Sequence, residues 1–450
     1  MPKISRFNHI QPWRDGLYIA YNAFSGAVAL MTEDNYATYQ RVVEKMAGNG
    51  TASYTPEETE LAKQMEFGRF AIRDDFDERE ALHFHHNISR YDRTTLGLTI
   101  APTMACNMAC HYCYEASKTG RMSPDMIEHI IRFVEKRAPA LSALSVSWYG
   151  GEPLLAMDII DDLTQSFLDM ATEYKFTYSA TMVSNGYLLT PEIVDRLVKA
   201  KVEMIQVTID GPAKSHNAKR PLKNGQPSFE TIIKNLTHAS QKIGMGVRVN
   251  VDKSFDNAMI AELLDELIAA GLKDRVGVYF GQIEPSVQAC ANISETCYET
   301  SEFSKTEIEY YRLLLDKGFR IDRIPAPVAT YCMAQIVNSF MIDPDGYLYK
   351  CFNHVGDKSL AMGNIKNEVD FQDKNFLRLF RADPFDDPTC RECDLLPICM
   401  GGCPSRRVDR EKEGEQVCET WRHNLQPMLE IIARSRQRQM QQKASAAAKE

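Results

Sequence analysis

The 450-residue chain is 44% hydrophobic and 25% charged, too long for one ordinary domain and composed like a globular protein with a core of usual size. Its net charge of -9 and pI near 5.7 argue against a nucleic-acid binder, and no run approaches the roughly 18 apolar residues of a membrane span. Twelve cysteines without an apolar export segment after Met1 are expected in the reducing cytoplasm, where clustered thiols are metal ligands rather than disulfides.

In chain order, Gly16 to Met31 predicts two strands around a turn at Asn22 to Gly26. Helical segments follow near Asp34 to Met46, Pro56 to Met65 and Glu78 to Ser89. The middle of the chain alternates short apolar runs with amphipathic segments, the pattern of strand and helix units on a parallel sheet. Candidate strands are Leu96 to Ala101, Ala143 to Tyr149, Thr177 to Ser184, Met204 to Ile209, Gly246 to Asp252 and Val276 to Gly281. Ser123 to Arg137, Pro191 to Ala200 and Phe229 to Ile243 are among the helices between them.

The loops after these strands carry the chemistry. After the first come Cys106, Cys110 and Cys113, whose gaps of three and two residues can hold three irons of a cubane cluster and leave the fourth iron open. Taken alone, the same thiols also suit half of a zinc site. After the second strand comes Trp148-Tyr-Gly150-Gly151-Glu152-Pro153, and after the third Ser184-Asn185-Gly186. After the fourth, Asp210-Gly211-Pro212 leads to His216, Asn217 and Arg220.

Beyond a bridging region with Cys290, Cys297 and a helical Lys305 to Lys317, the cysteines form a second pattern. Cys332 is followed by Gly346 and Cys351, then by Cys390, Cys393, Cys399, Cys403 and Cys418. The segment from Phe340 to Lys350 is a hairpin by its turn chemistry and delivers Cys351. A four-thiolate zinc knuckle at Cys390 to Cys403 is the alternative. The basic stretch Arg434 to Lys449 reads as a solvated helix end or frayed tail.

These loops, in this order, resemble the radical S-adenosylmethionine (SAM) enzymes. The resemblance implies that Cys106, Cys110 and Cys113 bind a 4Fe-4S cluster whose open iron chelates SAM, and that electron transfer cleaves SAM to a 5'-deoxyadenosyl radical. Tyr112 matches the position that packs on adenine, and Gly150, Gly151, Glu152 and Pro153 match the glycine-glycine-glutamate motif at the methionine end of SAM. There, two glycines would let the backbone approach SAM and Glu152 would accept from its ammonium group. Ser184 and Asn185 match the ribose- and carboxylate-binding loop, and Arg220 would clamp the SAM carboxylate, with Asn217 standing where Asp is usual.

The later cysteines resemble the SPASM extension of peptide and protein maturases, which implies two auxiliary 4Fe-4S clusters and three in all. By position Cys332, Cys351 and Cys403 would serve the first, and Cys390, Cys393, Cys399 and Cys418 the second. The first lacks an evident fourth ligand, because no cysteine lies in Pro325 to Tyr331. Either Cys290 or Cys297 folds in or the site is open, and neither is assigned.

The fold expected is α/β, a partial parallel (β/α)6 TIM-like barrel with a small N-terminal winged-helix-like module and a loop-rich C-terminal iron-sulfur domain. Expected boundaries are 1-94 for the peptide-recognition-like module, 95-283 for the barrel, 284-325 for the bridge, 326-425 for the SPASM domain and 426-450 for the tail. The activity implied is a radical SAM oxidoreductase forming a thioether or carbon-carbon crosslink in a ribosomally made precursor peptide. The N-terminal module would hold the leader, and a donor such as flavodoxin or ferredoxin would supply electrons. Two alternatives are an anaerobic sulfatase-maturating enzyme, a group in which an acidic residue follows the cysteine matching Cys351 where this chain has Phe352-Asn353, and a non-catalytic iron-sulfur electron carrier. No catalytic acid or base is assignable.

Overall fold

The computed structural model describes residues 2–48, 53–113, 119–283, 295–410 and 418–447; Cys290 lies outside them. The chain divides into two compact units, one made of Met1–Arg90, Arg323–Tyr331 and Asp383–Glu450, the other of Tyr91–Asp322 and Cys332–Ala382.

The first unit opens with β1 (Pro2–Ile4), β2 (Asn8–Pro12), β3 (Tyr18–Asn22) and β4 (Val28–Met31), then α1 (Glu33–Ala47), α2 (Pro56–Phe67), β5 (Ala71–Arg73) and α3 (Glu78–Tyr91). Strands β2, β3 and β4 form an antiparallel sheet in that order, and β1 pairs with β5. The expected hairpin and three helices are therefore present, with three short strands in addition. Thr55 starts α2 through a capping box with Glu58, with Pro56 in the first turn where its missing N–H costs nothing.

The second unit is built on β6 (Thr95–Ile100), α4 (Pro124–Glu135), β7 (Ala143–Trp148), α5 (Met157–Tyr174), β8 (Thr177–Ser184), α6 (Pro191–Lys199) and β9 (Val202–Thr208). It continues through α7 (Ala213–Lys219), α8 (Phe229–Ala239), β10 (Gly244–Val251), α9 (Asn257–Ala269), β11 (Val276–Gln282) and α10 (Thr300–Asp316) to β12 (Ser339–Ile342), β13 (Leu348–Tyr349) and α11 (Lys374–Phe380). Strands β6 to β11 lie side by side in chain order, all parallel, which is the expected partial barrel.

Only one face of this sheet is packed. Leu96, Leu98, Val146, Trp148, Met182, Val207, Val249 and Phe280 are buried, as are Ile130, Phe167, Leu197, Leu236 and Leu263 on the helices. The alternate strand positions Ser145 and Thr181 are exposed, and Gln206, Arg248, Asn250 and Tyr279 half-buried, so the inner face is open and polar.

The predicted hairpin is present as β12 and β13, but β12 also extends the barrel sheet by pairing parallel with β6. Gly97 permits this, since a Cβ there would lie 2.4 Å from the Ser339 hydroxyl. Gly346 takes the left-handed turn of the hairpin at φ 82°.

The rest of the first unit is α12 (Pro388–Glu392), α13 (Leu396–Cys399), α14 (Pro404–Arg410) and α15 (Trp421–Ala447). One face of the β2-β3-β4 sheet packs Ala20 and Met31 against Val42 and Met65 of α1 and α2. The other puts Ile19 and Tyr21 into a common core with Leu396, Ile398, Leu425 and Leu429. The basic C-terminal stretch is the outer end of α15, buried through Ala433 and Ser435 and exposed at Met440. Among the described residues no helix is long and apolar enough to cross a membrane.

Candidate functional site

The cysteine loop runs from the end of β6, and its base is held by the glycines of the next loop. Gly151 N donates to Thr103 O at 3.2 Å and Glu152 N to Ala105 O at 2.9 Å. A Cβ on Gly151 would sit 2.4 Å from the carbonyl oxygens of both Met104 and Ala105, and one on Gly150, at φ 114°, 2.4 Å from Thr103 O. The two glycines thus admit the backbone that carries the cysteines.

Glu152 has no exposed surface. Its Oε1 accepts from Ser184 Oγ at 2.9 Å and Leu154 N at 3.1 Å, and its Oε2 from Asn185 N at 2.8 Å. Burial pushes its pKa up to about 6 against these three donors. The carboxylate therefore ties the second loop to the third, and Pro153 begins the buried turn beneath it. Asn185 reaches the cysteine loop, its Nδ2 donating to Asn107 Oδ1 at 2.7 Å and approaching Cys106 Sγ at 3.8 Å. Asn235 on α8 secures the same loop from behind by donating to the carbonyls of Gly186 and Tyr187 at 3.0 and 2.8 Å.

A second lattice joins the cysteine loop to β9 and β10. The Tyr112 hydroxyl donates to Asp210 and accepts from Arg220 Nη1 at 2.5 Å and Asn250 Nδ2 at 3.0 Å. Arg220 also pairs with Asp210 at 3.6 Å, and Asp210 Oδ1 accepts from Asn250 N at 3.1 Å. Burial pulls the Arg220 guanidinium down, but Tyr112, Cys110 and Asp210 hold it well above its ordinary value; burial pushes the Tyr112 hydroxyl well up.

Below this, Asp210 N donates to His216 Nδ1 at 3.1 Å, which makes Nε2 the protonated nitrogen facing Ser228 Oγ at 3.1 Å. Asn217, where the resembling family has Asp, accepts from Ser228 N and Phe229 N at 2.9 and 3.0 Å and so anchors the start of α8.

The donor set fits an iron-sulfur cluster and SAM. Asn107 Nδ2 and Arg220 Nε, both beside the cysteine loop, are buried with no hydrogen-bond partner among the described residues. Cys106 Sγ accepts from Met108 N at 3.4 Å, the kind of contact that stabilises a metal-bound thiolate. The same backbone contact two residues on recurs at Cys332 with Ala334 N and at Cys393 with Leu395 N, both 3.4 Å. Burial raises the Cys106 and Cys110 thiols, so a bound metal must supply the charge that ionises them. Among the described residues no three Cys, His, Asp or Glu side chains converge as one ion requires; in a cubane each thiolate takes its own iron.

In the first unit, Asp387 caps α12 by accepting from Thr389 N and Cys390 N at 2.8 and 3.3 Å. Met400, Gly401 and Gly402 are successive left-handed residues that turn the chain from Cys399 to Cys403. Cys403 N donates to Glu419 Oε1 at 3.2 Å, beside Cys418. Burial pushes the Cys390 and Cys399 thiols up to about 12. Cys297 is buried, and the other ten described cysteines are half-buried.

Residues 100–267 match the radical SAM superfamily. This part of the chain is therefore a radical SAM domain, a kind of domain that uses a 4Fe-4S cluster and SAM. It is 27% identical over 326 residues to the mycofactocin maturase MftC of Mycolicibacterium smegmatis, covering 68% of this chain and 77% of that protein. It is 23% identical over 331 residues to the serine-type anaerobic sulfatase-maturating enzyme of Klebsiella aerogenes, covering 67% and 77%. In fold it is similar to native anSMEcpe with bound AdoMet, with a TM-score of 0.58 and 18% identity over 78% of this chain and all of that one. Streptococcus suis SuiB bound to its precursor peptide SuiA gives a TM-score of 0.53 and 17% identity over 93% of this chain and 99% of that one.

Proposed function

We propose that the protein is a radical SAM/SPASM maturase that oxidatively crosslinks a ribosomally made precursor peptide through a thioether or carbon-carbon bond. The observation that carries this reading is the buried Glu152 carboxylate binding Ser184 and Asn185, with Asn185 in turn on the Cys106 loop. It links three loops at the C-terminal ends of β6, β7 and β8, where barrels do their chemistry.

Cys106, Cys110 and Cys113 hold the SAM cluster; Tyr112, Gly150, Gly151, Pro153, Ser184, Asn185 and Arg220 line the SAM site, with Glu152 bracing it from below. Cluster and SAM together supply a 5'-deoxyadenosyl radical for hydrogen abstraction. Cys332 and Cys351 in the barrel unit, and Cys390, Cys393, Cys399, Cys403 and Cys418 in the other, are auxiliary-cluster ligands. The open polar inner face of β7 to β11 admits the peptide core. In the first unit β4 is a sheet edge, which supports leader docking by strand addition; the precursor bound by SuiB supports a peptide substrate. A flavodoxin or ferredoxin would deliver the electron.

Sulfatase maturation is the second reading, favoured by the relatives of that name. Phe352 and Asn353 after Cys351, where that group has an acidic residue, weigh against it.

The test is anaerobic incubation of reconstituted enzyme with SAM, dithionite and the small peptide encoded beside its gene, followed by mass spectrometry. Loss of two hydrogens from the peptide together with 5'-deoxyadenosine is expected. Deoxyadenosine with an unmodified peptide would defeat the crosslinking assignment and turn the search to a sulfatase.

A further inference from the structure

Among the described residues Lys350 is the only buried lysine, 2% exposed, directly before Cys351 and after β13. Its ammonium donates to Ile336 O at 2.5 Å and Ser339 O at 2.6 Å. It also lies 5.1 Å from the ring centre of Phe340 and 5.4 Å from that of Phe376. Carbonyl dipoles and ring faces favour a cation, but none of them carries charge, and no carboxylate among the described residues pairs with Lys350. Burial pulls the ammonium down to about 7, and the Cys332 thiol acts against that pull.

A buried cation without an opposite charge is strongly unfavourable, and the site has a place for one. Ile336 ends the short helical turn Met333–Gln335, which Cys332 caps by accepting from Ala334 N at 3.4 Å. The side chain of the residue just before Cys351 therefore reaches the end of the turn that Cys332 caps.

We propose that Lys350 is the buried counter-charge of an iron-sulfur cluster held through Cys332 and Cys351, a positioning residue that fixes the first ligand's turn and offsets the charge of the thiolate-bound cluster. This rests on the auxiliary-ligand assignment of those two cysteines. One-electron reduction makes a cluster more negative, so a fixed cation at short range in a dry interior stabilises the reduced form more than the oxidised one. Removing that charge lowers the midpoint potential and loosens the cluster.

The experiment uses the full chain with Cys106, Cys110 and Cys113 all changed to Ala, so that only auxiliary iron remains. In that background Lys350→Gln keeps a donor for the two carbonyls without the charge, Lys350→Arg keeps the charge, and Cys332→Ala removes a ligand. Readouts are iron and sulfide per chain, iron release to a chelator, the potential from a dithionite titration followed by electron paramagnetic resonance, and thermal unfolding of the metal-free chain.

Lys350→Gln is expected to shift the potential downward and release iron several-fold faster, with the metal-free chain no less stable; Lys350→Arg restores the potential. An unchanged potential and release rate in Lys350→Gln overturns the counter-charge and leaves the lysine a tie between carbonyls. Absence of auxiliary iron in the background protein, or full retention in Cys332→Ala, overturns the ligand assignment itself and the proposal with it.

Discussion

Gly151→Ala isolates the contact that seats the cysteine loop. Its backbone φ is not in the left-handed region, so alanine brings no conformational penalty, only a methyl group. That methyl would meet the carbonyl oxygens of Met104 and Ala105 at 2.4 Å, whereas ordinary contact begins at 3.4 Å. The loop base must therefore move by about 1 Å, at a cost of about 1–3 kcal/mol for forced overpacking. The cysteines follow that base directly, and a misplacement of about 1 Å at a reacting centre lowers rate by roughly 100-fold. The assay is 5'-deoxyadenosine formation by reconstituted enzyme, read beside the thermal midpoint of the metal-free protein. Gly48→Ala is the control, its nearest atom being Glu44 O at 3.5 Å. Wild-type rate and midpoint in Gly151→Ala would refute the reasoning that this glycine exists to admit the cysteine loop.

Changing Cys106, Cys110 and Cys113 together to Ala should abolish deoxyadenosine formation while leaving the later cysteines' iron in place; persistent SAM cleavage would end the cluster assignment. His216 is fully buried, and burial first, then Arg220, lowers its pKa from 6.5 to about 3. Its neutral form is bound in the fold while the unfolded chain takes up a proton below about 6.5, so its contribution is whole above that pH and lost as pH falls toward 3. The full span is worth about 5 kcal/mol. Urea unfolding against pH should show His216→Asn less stable at pH 8 and less sensitive between pH 6.5 and 4; parallel curves would count against the buried neutral ring. Leu30 on β4 is 40% exposed, so Leu30→Asp should change stability by no more than about 0.5 kcal/mol. If the leader docks there, its anisotropy-measured affinity falls about tenfold, and an unchanged affinity moves the leader elsewhere.

The six parallel strands and their loops were legible because buried strands and amphipathic helices differ in period, and each motif followed a strand end. The hairpin before Cys351 was legible from its turn, yet nothing local said that its first strand would join the barrel at β6. The only sequence trace of that pairing is Gly97, small where Ser339 must approach. Helices α12 to α14 were out of reach: four to seven residues long, they carry no period and are set by the Asp387 cap and the left-handed Met400 to Gly402 run. The core shared by β3 with α13 and α15 joins residues nearly 400 positions apart, a pairing that no local pattern encodes.

The structure brings the motif residues together, and several of them bind one another. Gly150 and Gly151, expected at the methionine end of SAM, also admit the backbone of Thr103 to Ala105. Glu152, expected to accept from the ammonium group of SAM, accepts within the chain from Leu154, Ser184 and Asn185. Asn235, Asn250 and Asp210, which a motif search passes over, complete the same lattice. Asn107 Nδ2 and Arg220 Nε keep open donors beside the cysteine loop. What such a motif encodes is the spacing of loops that must hold one another.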